Sequence, residues 1–521
     1  MTAVGIDLGT TYSVVTSSQD GVSAKALNNK EGKDTTPSVV FFQNVDGADE
    51  TLVGDLAVNS AKLSPENTIQ FIKREMGNSD YKYTSPSGKN YNPAEISALI
   101  LKYLKESAED YIGEITDAVI TCPAYFDDAR RVATKQAGKL AGLNVLHVLN
   151  EPTAAAIAFG MGGNKTGKVL VYDLGGGTFD ITLLDVKGDI ENNKEFDIIV
   201  TAGDHELGGK DFDEILMNIF REKLSESGHE IPASDDPAFE IIMRENAEKI
   251  KKNLSQKNKA STYINVGTTP VKIEITREEF EAASLGKLDQ TKYMTEKLLE
   301  DNDIKWEQID HLLMVGGSTH MPMVKNMLEE ISGKTLIYEI DPDRAVSIGA
   351  ALRAKQLSES GASTDGSRIS ENSSTGGSIP MPIIHDVTSQ SLGVVVVGDN
   401  GKDINSIIIK KNSKIPCSNT ETYMTVVENQ TEFLIRVTEG DDENIEYVKI
   451  IGEKTLEIPA HPKNSPVEVM YAYDIDQTVF IEVFDKVADC SLGTFEIDRA
   501  GSMSEQEIRE SIQKISKVVT D

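Results

Sequence analysis

The sequence contains little cysteine, and its cysteines form no arrangement typical of a metal site or a disulfide framework. Cys122, Cys417 and Cys490 are far apart, and none belongs to a CxxC pair or a cysteine–histidine cluster. This pattern argues against a zinc site and against a disulfide-stabilised secreted domain. We expect each cysteine to be a small buried or half-buried apolar residue.

Long apolar runs are also absent. No stretch approaches the roughly 18 consecutive apolar residues that a membrane-spanning helix needs. The N-terminal residues MTAVGIDLGT contain no basic segment followed by an apolar one, so no signal peptide is indicated. The sequence therefore predicts a cytoplasmic protein without a membrane partner.

Basic residues are scarce relative to acidic ones. The chain has 52 Lys and Arg against 84 Asp and Glu, which gives a formal net charge of -32. A chain with this charge repels nucleic acid on average, so no nucleic-acid partner is expected. The simplest role of the excess negative charge is solubility.

The length of the chain and one change in composition predict several domains. A chain of 521 residues exceeds the size of one ordinary hydrophobic core. Residues 358–378 are rich in Ser, Gly and Thr and nearly free of large apolar side chains, which is typical of a flexible linker. We therefore expect a first domain at 1–357, a linker region at 358–387, a second domain at 388–503 and a short terminal helix at 504–521.

The first domain has an α/β pattern. Short apolar runs predict buried strands, and apolar residues three or four positions apart predict helices with one buried face. The predicted strands are 4–7, 12–17, 118–121, 169–173 and 312–315. The predicted helices are 127–141 and 94–111, the second with Ile96, Leu99, Ile100, Tyr103, Leu104 and Tyr111 on its buried face.

The second domain has apolar residues at every second position, which predicts an antiparallel β-sandwich. The alternation occurs in four runs: Leu392, Val394 and Val396; Phe433, Ile435 and Val437; Val467, Val469 and Tyr471; Val479, Ile481 and Val483. One helix is predicted after the sandwich. Its signals are a capping box of Ser504 and Glu507, and an apolar face of Ile508, Ile512 and Ile515.

Two glycine-bearing turns follow buried strands, with DLGTT at 7–11 and DLGGGT at 173–178. Glycine lets backbone N–H groups approach phosphate oxygens, Thr hydroxyls add donors, and an Asp before each turn can hold hydrated Mg²⁺. A single copy is more often an ordinary β-turn, but two copies favour phosphate binding. Neither turn fits the Rossmann or Walker pattern. Gly316 and Gly317, between a strand and a helix, are a weaker third signal.

Five longer segments resemble the heat-shock protein 70, or DnaK-type, chaperone family. They read GIDLGTTYSVV, VITCPAYFDDARR, NEPTAAAIAFG, VYDLGGGTFDITLL and MVGGSTHMPMV, in the order of that family. The resemblance extends from Val4 to about Glu507. It implies an actin-like ATPase domain of duplicated ribonuclease-H-like topology, followed by an antiparallel β-sandwich that binds substrate.

The resemblance implies a site for ATP or ADP with Mg²⁺, and with K⁺ as a further candidate ion. Lys73 would contact the γ-phosphate and position the attacking water, and Thr178 would lie at the γ-phosphate. Asp7, Asp173 and Glu151 would form the acidic cluster, with Asp7 and Asp173 holding Mg²⁺ through water. The other expected nucleotide contacts are Gly9, Thr10, Thr11, Tyr12, Gly175, Gly176, Gly177, Glu248, Lys251, Lys252, Ser255, Gly316, Gly317, Ser318, His320 and Asp343.

Spacing alone leaves some of these positions open to a simpler interpretation. Glu248, Lys251, Lys252 and Ser255 share one helix face at i, i+3, i+4 and i+7, which is equally expected of a solvated surface. Without the resemblance, Lys73 is a surface lysine whose stem packs on apolar neighbours.

The resemblance also implies how the two domains communicate and what the second one binds. Pro123 and Arg131 would relay the nucleotide state to the sandwich. The residues expected to face an extended apolar peptide are Val394, Val396, Val397, Tyr423, Phe433 and Ile435. Alternation alone is equally consistent with an ordinary sandwich core. The implied partners are unfolded polypeptide segments, a J-domain co-chaperone and a nucleotide exchange factor.

Several positions depart from the family pattern. His147 stands where the family commonly has an arginine used by J-domain partners. His320 replaces an arginine that packs on the adenine, and Lys252 replaces one opposite it. Because Arg is the better stacking cation, we expect a lower nucleotide affinity. Residues 78–92 are shorter than the matching segment of the family.

The linker and the C-terminal region also differ. Residues 380–387 read PMPIIHDV. Pro382 has no backbone N–H to donate and His385 replaces an apolar residue, so weaker coupling between the domains is expected. The sequence stops about where the family's helical lid begins. We therefore expect no lid, only its opening turns at 504–519, and fast exchange of weakly bound peptides.

The sequence leaves three hypotheses about function. The first is an ATP-dependent chaperone with slow ATPase activity, in which ATP loosens peptide binding. The second is a non-catalytic or weakly catalytic partner chaperone that uses ATP binding structurally. The third, a sugar or metabolite kinase of the same superfamily, gives the β-sandwich no role.

Overall fold

The computed structural model describes residues 2–124, 126–163, 165–189, 194–226, 228, 232, 236–336, 338, 340–360, 382–398, 401–474, 479–496 and 503–521. Most of the predicted serine-rich linker therefore lies outside the described residues. Helix structure continues to Ser360, three residues past the expected end of the first domain at 357.

The strands up to the linker cover most of the predicted ones. They are β1 (Thr2–Asp7), β2 (Tyr12–Ser18), β3 (Ala24–Ala26), β4 (Thr36–Pro37), β5 (Val39–Val45), β6 (Ala48–Val53), β7 (Thr68–Gln70), β8 (Tyr83–Thr84), β9 (Asn90–Tyr91), β10 (Ile115–Cys122), β11 (Asn144–Asn150), β12 (Gly167–Leu174), β13 (Phe179–Lys187), β14 (Glu195–Asp204), β15 (Lys259–Val266), β16 (Thr269–Thr276) and β17 (His311–Val315). All five strands predicted in this part are confirmed.

The helices of the same part are α1 (Asp55–Ala61), α2 (Pro93–Ile112), α3 (Asp128–Leu140), α4 (Glu151–Gly163), α5 (Gly209–Glu226), α6 (Pro237–Gln256), α7 (Arg277–Asp301), α8 (Pro322–Ser332) and α9 (Ala345–Ser360). Both predicted helices are confirmed as α2 and α3. Asn92 and Glu95 form a capping box at the start of α2. Tyr111 was expected on its buried face, but it lies in the last turn and is 57% exposed.

Two sheets share one topology. The first has the order β11-β10-β1-β2-β3 with β4 beside β2, and the second begins β17-β12-β13-β14. In each sheet an antiparallel hairpin, β1–β2 or β12–β13, has a parallel neighbour on its first strand. The two glycine-bearing turns close these equivalent hairpins. The duplication predicted by resemblance is therefore present in the described sheets.

The two sheets organise two lobes. Lobe I is built on the first sheet with α2 and α3, and lobe II on the second sheet with α5, α6 and α7. Helices α4 and α9 pack between the sheets and share a third core cluster. Among the described residues, no helix combines the length and apolarity that crossing a membrane requires.

The second domain is the predicted antiparallel sandwich. After a linker strand β18 (Ile383–His385) come β19 (Leu392–Val397), β20 (Asp403–Ile409), β21 (Cys417–Met424), β22 (Gln430–Glu439), β23 (Lys449–His461), β24 (Pro466–Tyr473), β25 (Val479–Asp485) and β26 (Cys490–Glu496). They form sheets of order β20-β19-β22-β23 and β21-β24-β25-β26. The inward residues of the four alternating runs make one core, and the buried Tyr471 hydroxyl donates to the Gly393 carbonyl at 2.9 Å.

The linker strand docks on lobe II. Strand β18 pairs in parallel with β14, and the His385 Nε2 atom is 2.9 Å from Glu195 Oε1. Pro382 precedes the first paired residue, Ile383, so its missing N–H costs the ladder no hydrogen bond. Both departures from the family's linker pattern therefore fit a docked strand.

The C-terminal segment lies on lobe I. Helix α10 (Glu505–Ser516) starts at the predicted capping box of Ser504 and Glu507. The helix ends before 519, because a short strand β27 (Val519–Thr520) follows and pairs in parallel with β6. The predicted apolar face is partly wrong, since Ile512 is 38% exposed whereas Ile515 is fully buried in the lobe I core.

Polar contacts also anchor α10. The Glu95 carboxylate in the first turn of α2 accepts from Lys514 Nζ at 2.6 Å and from Ser511 Oγ at 2.8 Å. Lys102 Nζ donates to the Val518 carbonyl at 2.5 Å. The segment that was expected to be the opening turns of a lid therefore packs on the first domain.

The cysteine expectation is confirmed at two positions and wrong at the third. Cys122 is buried and Cys417 is half-buried, but Cys490 is exposed at the start of β26. Strand β26 is the last strand of its sheet, so one side of Cys490 faces solvent.

Candidate nucleotide-binding cleft

A cavity of about 600 Å³ lies between the two lobes. All but one of the residues expected to contact nucleotide, Mg²⁺ or water line this cavity. The exception is Gly177, whose carbonyl accepts two hydrogen bonds from Arg74 instead, at 3.1 and 2.7 Å. The sequence prediction therefore brings together residues that lie up to 336 positions apart.

The two glycine-bearing turns touch each other across the cleft. A Cβ atom added at Gly176 would lie 2.0 Å from Thr11 Oγ1, and one at Gly177 would lie 2.4 Å from Thr10 Cγ2. Glycine is required here because the turns approach more closely than any side chain allows. The turns therefore form one continuous floor with backbone groups from both lobes.

Lys73 and Glu151 form a buried ion pair at this floor. Lys73 lies on a single 3₁₀ turn, Ile72–Glu75, and Glu151 begins α4. Their side chains are hydrogen-bonded, and the residues are only 5% and 6% exposed. Burial alone would lower the pKa of Lys73, but Glu151 and Asp7 raise it above its ordinary value, so the ammonium stays charged.

Two aspartates complete an acidic cluster around this pair. Burial and the neighbouring Glu151 raise the pKa of Asp7 to about 7, against the opposing effect of Lys73. Burial, Glu151 and Asp180 raise the pKa of Asp173 well above its ordinary value. Thr121 Oγ1 donates to Asp7 Oδ1 at 3.1 Å. The floor therefore carries more negative charge than its one lysine neutralises.

Arg74 is a functional candidate that the sequence reasoning missed. Besides the Gly177 carbonyl, its guanidinium contacts Asp211 Oδ2 at 3.0 Å, and Asp211 accepts from the Gly208 amide. Arg74 thereby ties the turn that carries Lys73 to the second phosphate turn. Its position directly after Lys73 was the only signal in the sequence.

The opposite wall of the cavity comes from α6. Tyr12 Oη donates to Glu248 Oε1 at 2.8 Å, and Lys252 Nζ lies 4.7 Å from the centre of the Tyr12 ring. Lys251 is paired at 2.8 Å with Asp213, a buried residue that the sequence reasoning did not select. These contacts confirm that the shared face of α6 lines the cavity and is not a purely solvated one.

The third glycine segment supplies the remaining wall. Ser318 Oγ donates to the Gly175 carbonyl at 2.9 Å, which joins the segment to the second phosphate turn. His320 Nε2 is 3.2 Å from Asp343 Oδ2, and this hydrogen bond raises the pKa of His320. The Tyr338 ring lies 5.8 Å from the imidazole. An imidazole paired with a carboxylate therefore stands at the position where the family has a stacking arginine.

Arg131 connects the cleft to the linker. Its guanidinium donates to the Ala124 carbonyl at 2.8 Å and to Asn150 Oδ1 at 2.6 Å. Asn150 Nδ2 in turn donates to Asp386 Oδ2 at 2.7 Å, one residue after β18. Asn150 directly precedes Glu151, so a chain of contacts joins the floor of the cleft to the linker. Pro123 lies at the end of β10, next to Ala124.

The residues expected to face a peptide do not share one environment. Val394 and Ile435 point into the sandwich core in this conformation and are 2% and 0% exposed. The others are Val396, Tyr423 and Phe433, half-buried against the core, and Val397, 51% exposed. Two of the six residues therefore fit the alternative that the alternating pattern left open, which is an ordinary sandwich core.

His147 lies on β11 and is half-buried. Burial, followed by Arg353 and Arg131, lowers its pKa to about 3. The imidazole is therefore neutral at physiological pH. His147, which stands where the family commonly has an arginine for J-domain partners, is therefore uncharged.

Comparisons with known proteins agree with this architecture. Residues 3–520 match the family model described as Hsp70 protein. The chain is 38% identical over 522 aligned residues to the chaperone protein DnaK of Mycoplasmopsis synoviae, covering 98% of this chain and 81% of that protein. It is 41% identical over 494 residues to the DnaK of Thermotoga petrophila, covering 92% and 78%.

The duplicated sheets and the paired phosphate turns define a two-lobed nucleotide-binding protein that carries a docked β-sandwich. The chain belongs to the Hsp70 family of ATP-dependent chaperones. Members of this family are ATPases that act on unfolded polypeptides together with co-chaperones. The resemblance seen in the five sequence segments is therefore confirmed over nearly the whole chain.

Proposed function

We propose that the cleft binds ATP with Mg²⁺ and hydrolyses it slowly, and that the nucleotide controls how the sandwich holds extended apolar segments of unfolded proteins. The observation that carries the proposal is the buried Lys73–Glu151 pair on a floor made by two touching phosphate turns. Keeping an ammonium charged inside a protein is costly unless a partner stabilises it. Its position supports a role toward a phosphoryl group.

The residues present fit a magnesium ion held through water. Asp7 and Asp173 have raised pKa values because burial and Glu151 leave their negative charge poorly compensated, and a bound cation would restore the balance. Among the described residues, no three His, Cys, Asp or Glu side chains form a direct ligand set. Magnesium keeps several waters and needs few carboxylates, so the two aspartates suffice. It would neutralise charge on the phosphate oxygens.

The chain's own groups account for the hydrolytic step. Lys73, oriented by Glu151, would donate to the γ-phosphate and hold the attacking water in line. The two turns would supply backbone donors to the phosphate oxygens, and Thr178 would add its hydroxyl. In phosphoryl transfer, positioning and charge stabilisation provide most of the catalysis. This complete set of groups argues against a partner chaperone that only binds ATP.

The sandwich offers apolar side chains to a peptide. Val397 is about half exposed. Four side chains around β21 and β22 are exposed to a similar degree: Met424, Val426, Val427 and Leu434. An extended peptide would add main-chain hydrogen bonds to this apolar surface. Because Val394 and Ile435 are buried in the docked conformation, we propose that undocking exposes more of the channel. A J-domain co-chaperone and an exchange factor are the proposed partners of the first domain.

Release of inorganic phosphate from ATP tests the enzymatic part of the proposal. We expect Lys73→Ala to lower the rate about 100-fold, because it removes a donor that acts in the transition state. Lys297→Ala, at an exposed position of α7, is the matched control and should keep the wild-type rate. Equal background rates in the wild type and Lys73→Ala would refute ATPase activity.

A further inference from the structure

Phe71 has a backbone conformation that is unusual for its side chain. Its φ is 60° and its ψ is 25°, in the left-handed region. Among the described residues, every other non-glycine with positive φ is an Asp or Asn. Those two side chains adopt this region readily, whereas a bulky aromatic one is strained there. A strained residue that persists suggests a compensating role, which is then sought in its contacts.

The position of Phe71 in the chain links it to the proposed catalytic lysine. It separates β7 from the 3₁₀ turn that carries Lys73 and Arg74. Its left-handed conformation joins the end of the strand directly to the start of this turn. The orientation of the Phe71 backbone therefore determines where Lys73 enters the cleft.

The ring of Phe71 reaches across to lobe II and lies close to two cations. Lys210 Nζ is 5.0 Å from the ring centre, and the Arg244 guanidinium carbon is 5.3 Å from it. Both distances are within the range of cation–π attraction. Lys210 begins α5, and its amide donates to the Gly176 carbonyl at 2.8 Å. The ring thus contacts a residue bonded directly to the second phosphate turn.

The charges around the ring give it an electrostatic role. Burial, followed by Arg74 and Arg244, lowers the pKa of Lys210. Glu214 lies 4.0 Å from Lys210 and 3.8 Å from Arg244, and its single charge is shared between them. The negative face of an aromatic ring attracts cations, so the ring offsets part of the positive charge that the one Glu214 carboxylate leaves uncompensated.

We infer that Phe71 is a positioning residue for ATP hydrolysis: its ring, through cation–π contacts with Lys210 and Arg244 of lobe II, holds the turn that bears Lys73 against the phosphate floor. This inference rests on the proposed ATPase function. It explains why the strained Phe71 backbone persists: the contacts of the ring with lobe II stabilise it. ATP itself is bound by many other residues, so the ring acts mainly on the chemical step.

Phe71→Asn separates this role from a merely structural one. Asn adopts the left-handed conformation readily, so the variant should unfold at the wild-type temperature or above it. We expect kcat for ATP hydrolysis to fall about tenfold, with KM changed less than about threefold. Phe71→Tyr, which keeps the ring, should restore most of the rate. Tyr293→Ala removes an exposed ring with its own cation partner, Lys297, and should keep wild-type kinetics.

Arg244→Gln provides a second, independent arm. If the ring acts through the cations, Phe71→Asn combined with Arg244→Gln should be no slower than Phe71→Asn alone. A wild-type kcat in Phe71→Asn, or a raised KM with kcat unchanged, would overturn the inference while leaving the proposed function intact. Phosphate release that does not depend on Lys73 would overturn the proposed function and this inference with it.

Discussion

Glu439 illustrates how one side chain can report on contact between the two domains. It lies on β22, is 9% exposed, and faces Asp127, Asp128 and Arg130 at the start of α3, with Lys449 beside it. Burial, then Asp127, raises its pKa to about 8, while Lys449 and Arg130 oppose the shift. Near neutral pH this carboxyl is therefore protonated at the interface between the sandwich and lobe I.

The raised pKa predicts that docking weakens as pH rises. Once the sandwich separates, Glu439 no longer faces the α3 carboxylates and ionises near its ordinary pKa of 4.5. Between pH 4.5 and about 8, the docked state holds a proton on Glu439 that the undocked state has released. Docking is therefore strongest below pH 4.5 and is weakened as the pH rises through about 8. Glu439→Gln should remove most of this dependence.

Energy transfer between two dyes checks this prediction. One dye would be placed on the exposed Cys490 of the sandwich and the other on a cysteine replacing the exposed Tyr111 of lobe I. With ATP present, transfer should fall as the pH rises from about 5 to about 8 in the parent and level off above that, and it should stay flat in Glu439→Gln. Identical profiles in both proteins would show that another group controls docking.

Single residues also show what the sequence could reveal about the cleft. The two glycine turns were found because their local pattern is distinctive, whereas Lys73 was implied only by the family resemblance. Asp213 was missed because a lone acidic residue on a helix has no signal until folding brings it within 2.8 Å of Lys251. Phe71 was missed for a similar reason, since neither its backbone angle nor its partners on lobe II can be read from neighbouring residues.

At the scale of elements, the packing of α9 depends on glycine. A Cβ atom added at Gly349 would lie 1.7 Å from the Ala154 carbonyl oxygen of α4, and the obstacle is backbone that cannot rotate away. Helices α4 and α9 share the core between the two sheets. Their close approach therefore sets the spacing of the lobes.

Gly349→Ala should consequently destabilise the first domain. Overpacking of this kind costs about 3 kcal/mol, and calorimetry should show a lower melting temperature for the unfolding of this domain. Gly286→Ala is the matched control, because Gly286 lies within α7 with nothing within 4 Å of the added atom. It should raise stability by about 0.5–1 kcal/mol through helix propensity. A melting temperature unchanged by Gly349→Ala would contradict the close packing.

Elements differ in how well the sequence predicts them. Helices α2 and α3 were found by apolar periodicity, and α10 was found by its capping box. The end of α10 was not, because β27 forms only through pairing with β6, nearly 470 residues earlier in the chain. For the same reason Ile512 was placed on the wrong face. A local pattern cannot show which side of a helix meets a distant core.

At the scale of the whole molecule, several connections hold the sandwich against the first domain. Strand β18 extends the second sheet, Asp386 accepts from Asn150, and Lys449 Nζ lies 3.3 Å from Asp127, the N-cap of α3. Lys414 adds an ion pair with Asp197 at 2.6 Å. The hydrogen bond between Asn150 and Asp386 lies next to Glu151 in the cleft, because Asn150 directly precedes Glu151. A change at the phosphate floor can therefore reach the linker through two adjacent residues.

The domain classes could be predicted from the sequence, but their relative arrangement could not. The α/β and alternating patterns predict an α/β domain and a sandwich because each pattern reflects burial within one domain, and the family resemblance adds that the α/β domain is actin-like. Docking depends on polar residues such as Asp386 and Lys449, whose sequence context resembles that of any solvated segment, and on the buried Asn150, whose partner is 236 residues away. Pro382 and His385 show the limit most clearly, since both looked unfavourable for coupling yet fit the docked strand.

Release of a fluorescent apolar peptide in ATP and in ADP tests the central claim most directly, because it requires nucleotide binding, peptide binding and coupling at once. We predict that ATP raises the dissociation rate of the peptide at least about tenfold over ADP, as expected for a coupling of 1–3 kcal/mol. Asn150→Ala, which removes the link to Asp386, should reduce this difference. Equal dissociation rates of the wild-type complex in ATP and ADP would contradict the account.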